Sequence, residues 1–435
     1  MRGKWWMWIL CSLLLMVMMA GCQERPQEET SHADLADTTG LPKAEWTNEP
    51  VIMQTIVNSG FTVEYVDGLQ YSKVDNDWRL FEQWKNGELI SVAPLVNLQN
   101  DLEPWVALQH DDYRFVETQN DPGYMVDDQY IYWLEAPASY NAAADRWYLY
   151  MRAVSRDGAQ GAPILVAEGD YQKVNDDDEG SGLPQDWAGC NGNVLWSQFD
   201  NGSMVVALYR GTQSSTEILS MFSTNDAGRA EVALNKDLAV WTEIADDGKD
   251  RVCALKRCAL ENDEVTDISL GRCPADPVIC GEYLIVQDIL EENQDGDVAT
   301  NQLLVYHLTQ ESWAYRIGAD LPVLPEGMIF EQPMIIDDIH IALAASGASA
   351  LYQLPAVDLT NGKIYALEKE PETALYFCPR DYAVENLERG ADVVRNIQPL
   401  NQDGSNSVLE WAVYEEGMDA QELVYSVNFR WRASS

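Results

Sequence analysis

Short apolar runs rich in Val, Ile, Leu, Tyr and Trp dominate the chain after residue 51, and clusters of Asp, Asn and Gly interrupt them. Helical periodicity is scarce. Runs this short, bounded by turn residues, predict strands and not helices. The runs recur in pairs separated by a polar insert. Tyr130-Ile131-Tyr132-Trp133 is followed by Trp147-Tyr148-Leu149-Tyr150, and Val194-Leu195-Trp196 by Val205-Val206-Ala207-Leu208-Tyr209. Leu238-Ala239-Val240-Trp241 is followed by Arg251-Val252-Cys253-Ala254-Leu255, and Tyr283-Leu284-Ile285-Val286 by Leu303-Leu304-Val305-Tyr306. Looser pairs are Ile339-His340-Ile341-Ala342 with Ala350-Leu351-Tyr352, and Val408-Leu409-Glu410-Trp411 with Leu423-Val424-Tyr425-Ser426. Each pair reads as two strands joined by a hairpin. In the third, the strand is expected to end at Trp241, ahead of an acidic turn containing Asp247-Gly248.

Measured at the last residue of each first member, the intervals are 63, 45, 45, 56 and 69 residues. A period near 45 is that of a propeller blade, a four-stranded unit that buries its faces against its neighbours. The chain is therefore expected to be all-β, a β-propeller of six to eight four-stranded blades with seven the expected number. The repeated pair would supply strands two and three of each blade. Residues 61–92, with Tyr71, Trp78, Phe81 and Trp84, supply a degenerate further copy. After Trp431 only four residues remain. The last blade then needs its outer strand from elsewhere, and 51–57 (Val-Ile-Met-Gln-Thr-Ile-Val) is β-rich enough to close the ring. Two sandwich domains are the competing all-β arrangement. The strand rhythm from about 51 to 431 resembles the β-propeller repeats of TolB-like and dipeptidyl-peptidase N-terminal-like proteins. That resemblance implies a recognition or scaffold disc.

The start of the chain has a different pattern. Arg2 and Lys4 precede an uncharged stretch from 5 to 20, shorter than the roughly 20 apolar residues of a spanning helix. This is the layout of a processed export signal. It ends in Met19-Ala20-Gly21-Cys22, which resembles the bacterial lipobox, although that pattern prefers Leu where Met19 stands. The resemblance implies removal of 1–21, lipidation of Cys22 and a membrane-anchored chain facing outside the cytoplasm. Residues 22–45 are polar and read as a flexible tether. The propeller is assigned to 46–435.

Composition narrows the partners. With 71 acidic and 28 basic residues the formal charge is −43. Such a surface repels phosphate backbones, so nucleic acid is not an expected partner, and the lipid must anchor without a basic patch. Of eight cysteines, Cys11 leaves with the signal and Cys22 takes lipid. Cys190, Cys253, Cys258, Cys273, Cys280 and Cys378 remain. Outside the cytoplasm they can form disulfides, and a local bridge is expected within 253–280. Their spacing leaves the pairing open, with free buried thiols as the alternative.

Catalytic motifs are scarce. There is no G-x-S-x-G elbow and no H-E-x-x-H. The four histidines are His32, His110, His307 and His340, and the last two fall inside predicted strands. The best metal candidate is the acidic hairpin tip in which Glu291, Asn293, Asp295 and Asp297 place oxygens at alternate positions around Gly296, as in a calcium loop. It departs from an EF-hand in starting with Glu and in having Gln302 at the last ligand position. A solvated hairpin tip is the competing reading, and no other cofactor is expected. These features favour a tethered binding or scaffold module for a protein, peptide or glycan. The alternatives are a polysaccharide-acting hydrolase or lyase, with funnel carboxylates as acid and base, and an envelope-assembly factor.

Overall fold

The computed structural model describes residues 40–48, the strands between 51 and 94, most of 103–369 and the strands between 373 and 431. Side chains are described for 40–48, 91–92 and most of 103–369. The described secondary structure is strand and turn, with no long helix.

The protein is an all-β propeller, and among the described residues its strands group into seven successive blades, the last two of which are joined into one sheet through Val51–Gly60 and Lys363–Lys369. Blade one comprises Tyr65–Val66, Leu69–Lys73, Leu80–Lys85, Glu88–Pro94 and Val106–Ala107. In blade two, Tyr113–Phe115 and Tyr124–Val126 share the edge of Tyr130–Pro137, followed by Arg146–Ala153 and Ile164–Asp170. Blade three is Pro184–Cys190, Asn193–Asp200, Ser203–Arg210 and Ser215–Ser223, in plain antiparallel order. Blade four repeats that order with Val232–Leu234, Leu238–Asp246, Arg251–Ala259 and Glu264–Ile268. Blade five repeats it with Pro274–Cys280, Tyr283–Glu292, Val298–His307 and Ser312–Gly318. Blade six is Met334–Asp337, His340–Ala342, Pro355–Asp358 and Lys363–Lys369. Blade seven is Val393–Pro399, Ser407–Val413, Leu423–Trp431 and, at its outer edge, Val51–Gly60.

Strict alternation in the second strands explains why the blades must stack. Ile131 and Trp133 face blade one, packing with Val92 and Trp105, whereas Tyr132 and Leu134 face Trp187, Val194 and Trp196 of blade three. Leu195 turns to Ala239 and Trp241 of blade four, and Val240 of blade four turns to Leu284 and Val286 of blade five. Ile285 then meets Ile336, Ile341 and Val357 of blade six. Both faces of the second strand are thus buried by different sheets in blades two to five. A sandwich would bury only one. The fourth strands lie at the rim, where Ile218 and Met221 are exposed.

The expected closure is present. Met53 to Gly60 pair antiparallel with Trp431 to Tyr425. Val51, Ile52 and Met53 also pair in parallel with Leu367, Glu368 and Lys369, the outer strand of blade six. Just upstream, Ala44 N–H donates to Arg316 O of blade five (2.8 Å), and Glu45–Trp46 pairs in parallel with Lys363 and Ile364 of blade six. Pairing therefore begins at Lys43, with its bridge to Arg316, inside the segment read from sequence as tether. One path covers three successive outer edges, which would otherwise present unpaired N–H and C=O groups.

Two details differ from the sequence reading. The partner of His340–Ala342 is Pro355–Asp358, not the run ending at Tyr352. Tyr352 instead turns inward, and its hydroxyl accepts the Ala345 N–H at 2.6 Å. Second, the strand does not end at Trp241 but continues to Asp246, because Thr242 and Ile244 are still buried.

Candidate functional site

The first strands of successive blades lie against one another around the axis. Each of three blades places one acid there. Asp186, Glu231 and Asp276 stand 45 residues apart, the period of the repeat. Register shifts between Pro184 and Asp186 and between Ala275 and Val278 mark bulges at two of them, and Asp276 has φ +47°. Bulges re-aim side chains in this way. The Val232 N–H of blade four donates to Asp186 Oδ2 at 2.7 Å, and the Asp276 N–H of blade five donates to Glu231. Asp276 in turn accepts from Gln287 Nε2. Asn301 Nδ2 donates to Gln287 Oε1 at 3.0 Å, and Asn301 Oδ1 accepts the Phe330 N–H at 2.8 Å. Asp186 and Glu231 therefore brace one blade to the next, while the Asp276 carboxyl bonds within its own blade.

Their electrostatics follow from this enclosure. All three are partly accessible, yet blade walls surround them. Burial pushes the Asp186 carboxyl up to about 8, against the opposing effect of the Val232 and Trp187 N–H bonds. Burial also raises Glu231, reinforced by the nearby Asp276 charge, and raises Asp276 against the Arg229 charge. At neutral pH Asp186 and Glu231 keep a share of their protons, so these two carboxyls can donate as well as accept hydrogen bonds.

A second constellation lies on blade two. A tryptophan and an acid or amide two residues later recur on three second strands. Trp133 Nε1–H donates to Glu135 (2.7 Å), Trp196 to Gln198 (3.1 Å) and Trp241 to Glu243 (3.0 Å). Alternation puts residues i and i+2 on one face, so each pair forms locally. On blade two the loop after Val106–Ala107 adds His110. Its Nδ1 lies 3.1 Å from Glu135 Oε2, and its ring stacks on Tyr148.

Of the residues singled out from sequence, Cys22, Asn293, Asp295 and Asp297 lie outside the described residues. Glu291 falls in the strand Tyr283–Glu292, so the acidic segment does join the second and third strands of blade five. No group of three or more candidate metal ligands occurs among the described residues. His307 ends one strand and His340 opens another, where it pairs with Asp337 at 2.7 Å. Cys253 and Cys273 form a disulfide with Cα atoms 5.1 Å apart, while Cys190, Cys258 and Cys280 are free and buried. Burial pushes the Cys190 thiol up to about 12, which makes it unreactive. Cys378 lies outside the described residues. Among them no helix is long and apolar enough to cross a membrane.

Sequence reasoning missed the axial acids and the His110–Glu135 pair. The 45-residue spacing of Asp186, Glu231 and Asp276 was the available signal for the former.

No family model and no curated sequence matches the chain. Solved structures resemble it in fold. A prolyl endopeptidase is 15% identical with a TM-score of 0.47, over 81% of this chain and 46% of that one, so the chain spans about half its length. TolB from Acinetobacter baumannii is 12% identical with a TM-score of 0.38, over 83% of this chain and 78% of that one. The β-propeller domain of the Trilobed protease from Pyrococcus furiosus is 9% identical with a TM-score of 0.36, over 70% and 93%. At these identities the likeness concerns fold alone, and the seven-bladed assignment stands on the sheet order described above.

Proposed function

We propose that the protein is a membrane-anchored extracytoplasmic propeller lipoprotein, held by a lipid on Cys22, that acts as a binding module for a protein, peptide or glycan. The observation that carries this over catalysis is the use of the axial acids. Asp186 and Glu231 each accept a backbone N–H from the following blade. A general acid or base must be free to exchange its proton with substrate, and these oxygens are held in the blade joints. The Cys253–Cys273 bridge supports an oxidising location.

The second reading is a polysaccharide hydrolase, favoured by the raised proton affinity of Asp186 beside the axis. A lyase is less favoured. Its β-elimination needs an anionic uronate, which a chain of charge −43 repels.

Two variants test the proposal. Cys22→Ser should move the protein from the membrane fraction to the soluble fraction, and persistence in the membrane would end the lipid assignment. Asp186→Asn should alter stability and leave ligand capture intact. Loss of turnover on a polysaccharide panel, with the fold retained, would establish the hydrolase instead.

A further inference from the structure

The loop before blade two folds His110 back over the second and third strands of that blade. The imidazole lies flat on Tyr148, with centroids 4.2 Å apart and planes 13° apart. Tyr113 is 4.9 Å from His110 at a 35° tilt and 5.8 Å from Tyr148. These three distances make a compact triangle and not a sandwich. Tyr113 therefore stands beside the imidazole and does not cover its second face. About a third of the His110 side chain (33%) is open to solvent. Behind it the stack continues through Tyr150 to Trp133, whose rings are 5.4 Å apart.

The platform is fixed from below. Glu135 has no exposed surface, and it accepts from Trp133 Nε1 at 2.7 Å and from the Gln109 N–H at 2.8 Å. Its other oxygen faces His110 Nδ1, which selects the tautomer with the proton on that nitrogen. Nε2 is then the polar atom at the outer ring edge, and among the described residues no group meets it. A buried carboxylate, an oriented imidazole and two flanking tyrosines thus present a half-open aromatic surface with a ring nitrogen at its margin.

We propose that His110, Tyr113 and Tyr148 form the binding platform for a neutral or amino-bearing sugar ring of a glycan. A pyranose offers a flat C–H face for aromatic rings and, around its edge, hydroxyls that can donate to or accept from an imidazole nitrogen. A site that joins apolar area to a few placed polar groups suits such a ligand. The charge of −43 works against uronate or sulfated chains and leaves neutral or amino sugars. This inference rests on the binding-module reading and names the ligand class.

The test is calorimetric titration of the mature full chain with a cellulose hexamer and a glucosamine hexamer, with a galacturonate hexamer as the anionic control. One of the first two should bind and the control should not. His110→Ala and Tyr148→Ala should each weaken binding about tenfold or more, because aromatic anchors at the centre of a site carry most of its affinity. His110→Ala decides the matter if Tyr148→Ala lowers the melting temperature. His307→Ala, at the separate Tyr283–His307 contact, should leave binding unchanged. Failure of both hexamers to bind, stronger binding of the galacturonate hexamer, or binding indifferent to His110→Ala would overturn the platform. The wider reading is tested separately by crosslinking at the membrane. A captured protein partner with no sugar binding would sink the glycan inference alone, and neither partner nor sugar would sink both.

Discussion

Trp241 sits at the joint between blades three and four and offers a quantitative test of the blade-stacking account. It has no exposed surface and packs among Leu195, Met204, Val206, Leu208 and Ala239. Its indole N–H donates to Glu243 at 3.0 Å. Glu243 also accepts from Ser220 on the outer strand of blade three and pairs with Lys256 Nζ at 3.2 Å. Trp241→Ala removes roughly 200 Å² of buried apolar surface, worth about 5 kcal/mol at 25 cal/mol per Å². Measured truncations of this kind cost about 3–5 kcal/mol. Trp241→Phe keeps most of the area and loses the N–H, which leaves Glu243 with its two other partners. Its cost should be about 1 kcal/mol. Equilibrium urea unfolding of both variants reads these values directly. If Trp241→Phe cost as much as Trp241→Ala, the hydrogen bond and not the packing would hold the joint. If Trp241→Ala cost under about 1 kcal/mol, the blades could not be stacked as described.

Three further outcomes follow. Gly189 has no room for a side chain, since an added Cβ would fall 2.4 Å from the Tyr132 ring, so Gly189→Ala should lower the melting temperature by several degrees through overpacking of the joint between blades two and three. The raised Asp186 and Glu231 carboxyls keep protons in the folded chain that the unfolded chain has already lost. Their contribution to stability is therefore greatest near pH 4 and declines towards pH 8, the folded value for Asp186. The urea midpoint should fall over that range and fall less in Asp186→Asn, while an identical slope in the variant would refute the assignment. Cys253→Ser should lower the melting temperature of the oxidised protein to that of the reduced wild type, because the bridge closes a 20-residue separation; no difference between oxidised and reduced wild type would contradict this.

The readable part of the fold was the part with strict alternation. Second strands buried on both faces carry apolar runs, so the segments around Trp133, Trp196 and Trp241 stand out against the polar inserts between them. Inner strands are short, bulged and polar where they meet the axis. Asp186, Glu231 and Asp276 therefore disappear among 71 acids unless their common spacing is noticed. Blade six was mispaired because Tyr352, although a strand residue, pairs with Phe377 and not with His340–Ala342, while its hydroxyl accepts the Ala345 N–H. His110 carries no local pattern. Its partner Glu135 lies 25 positions away, and only the return of the loop over blade two brings them together.

Val51–Gly60 closes the disc as the outer strand of blade seven. Hydrogen exchange on the full chain tests this closure most directly. The amides of Val51–Gly60 that pair with Leu423–Trp431 should exchange as slowly as those of the blade three core strand Asn193–Asp200, because both are held in antiparallel ladders. Exchange of Val51–Gly60 within seconds, with Asn193–Asp200 still protected, would show that the disc is not closed by this strand.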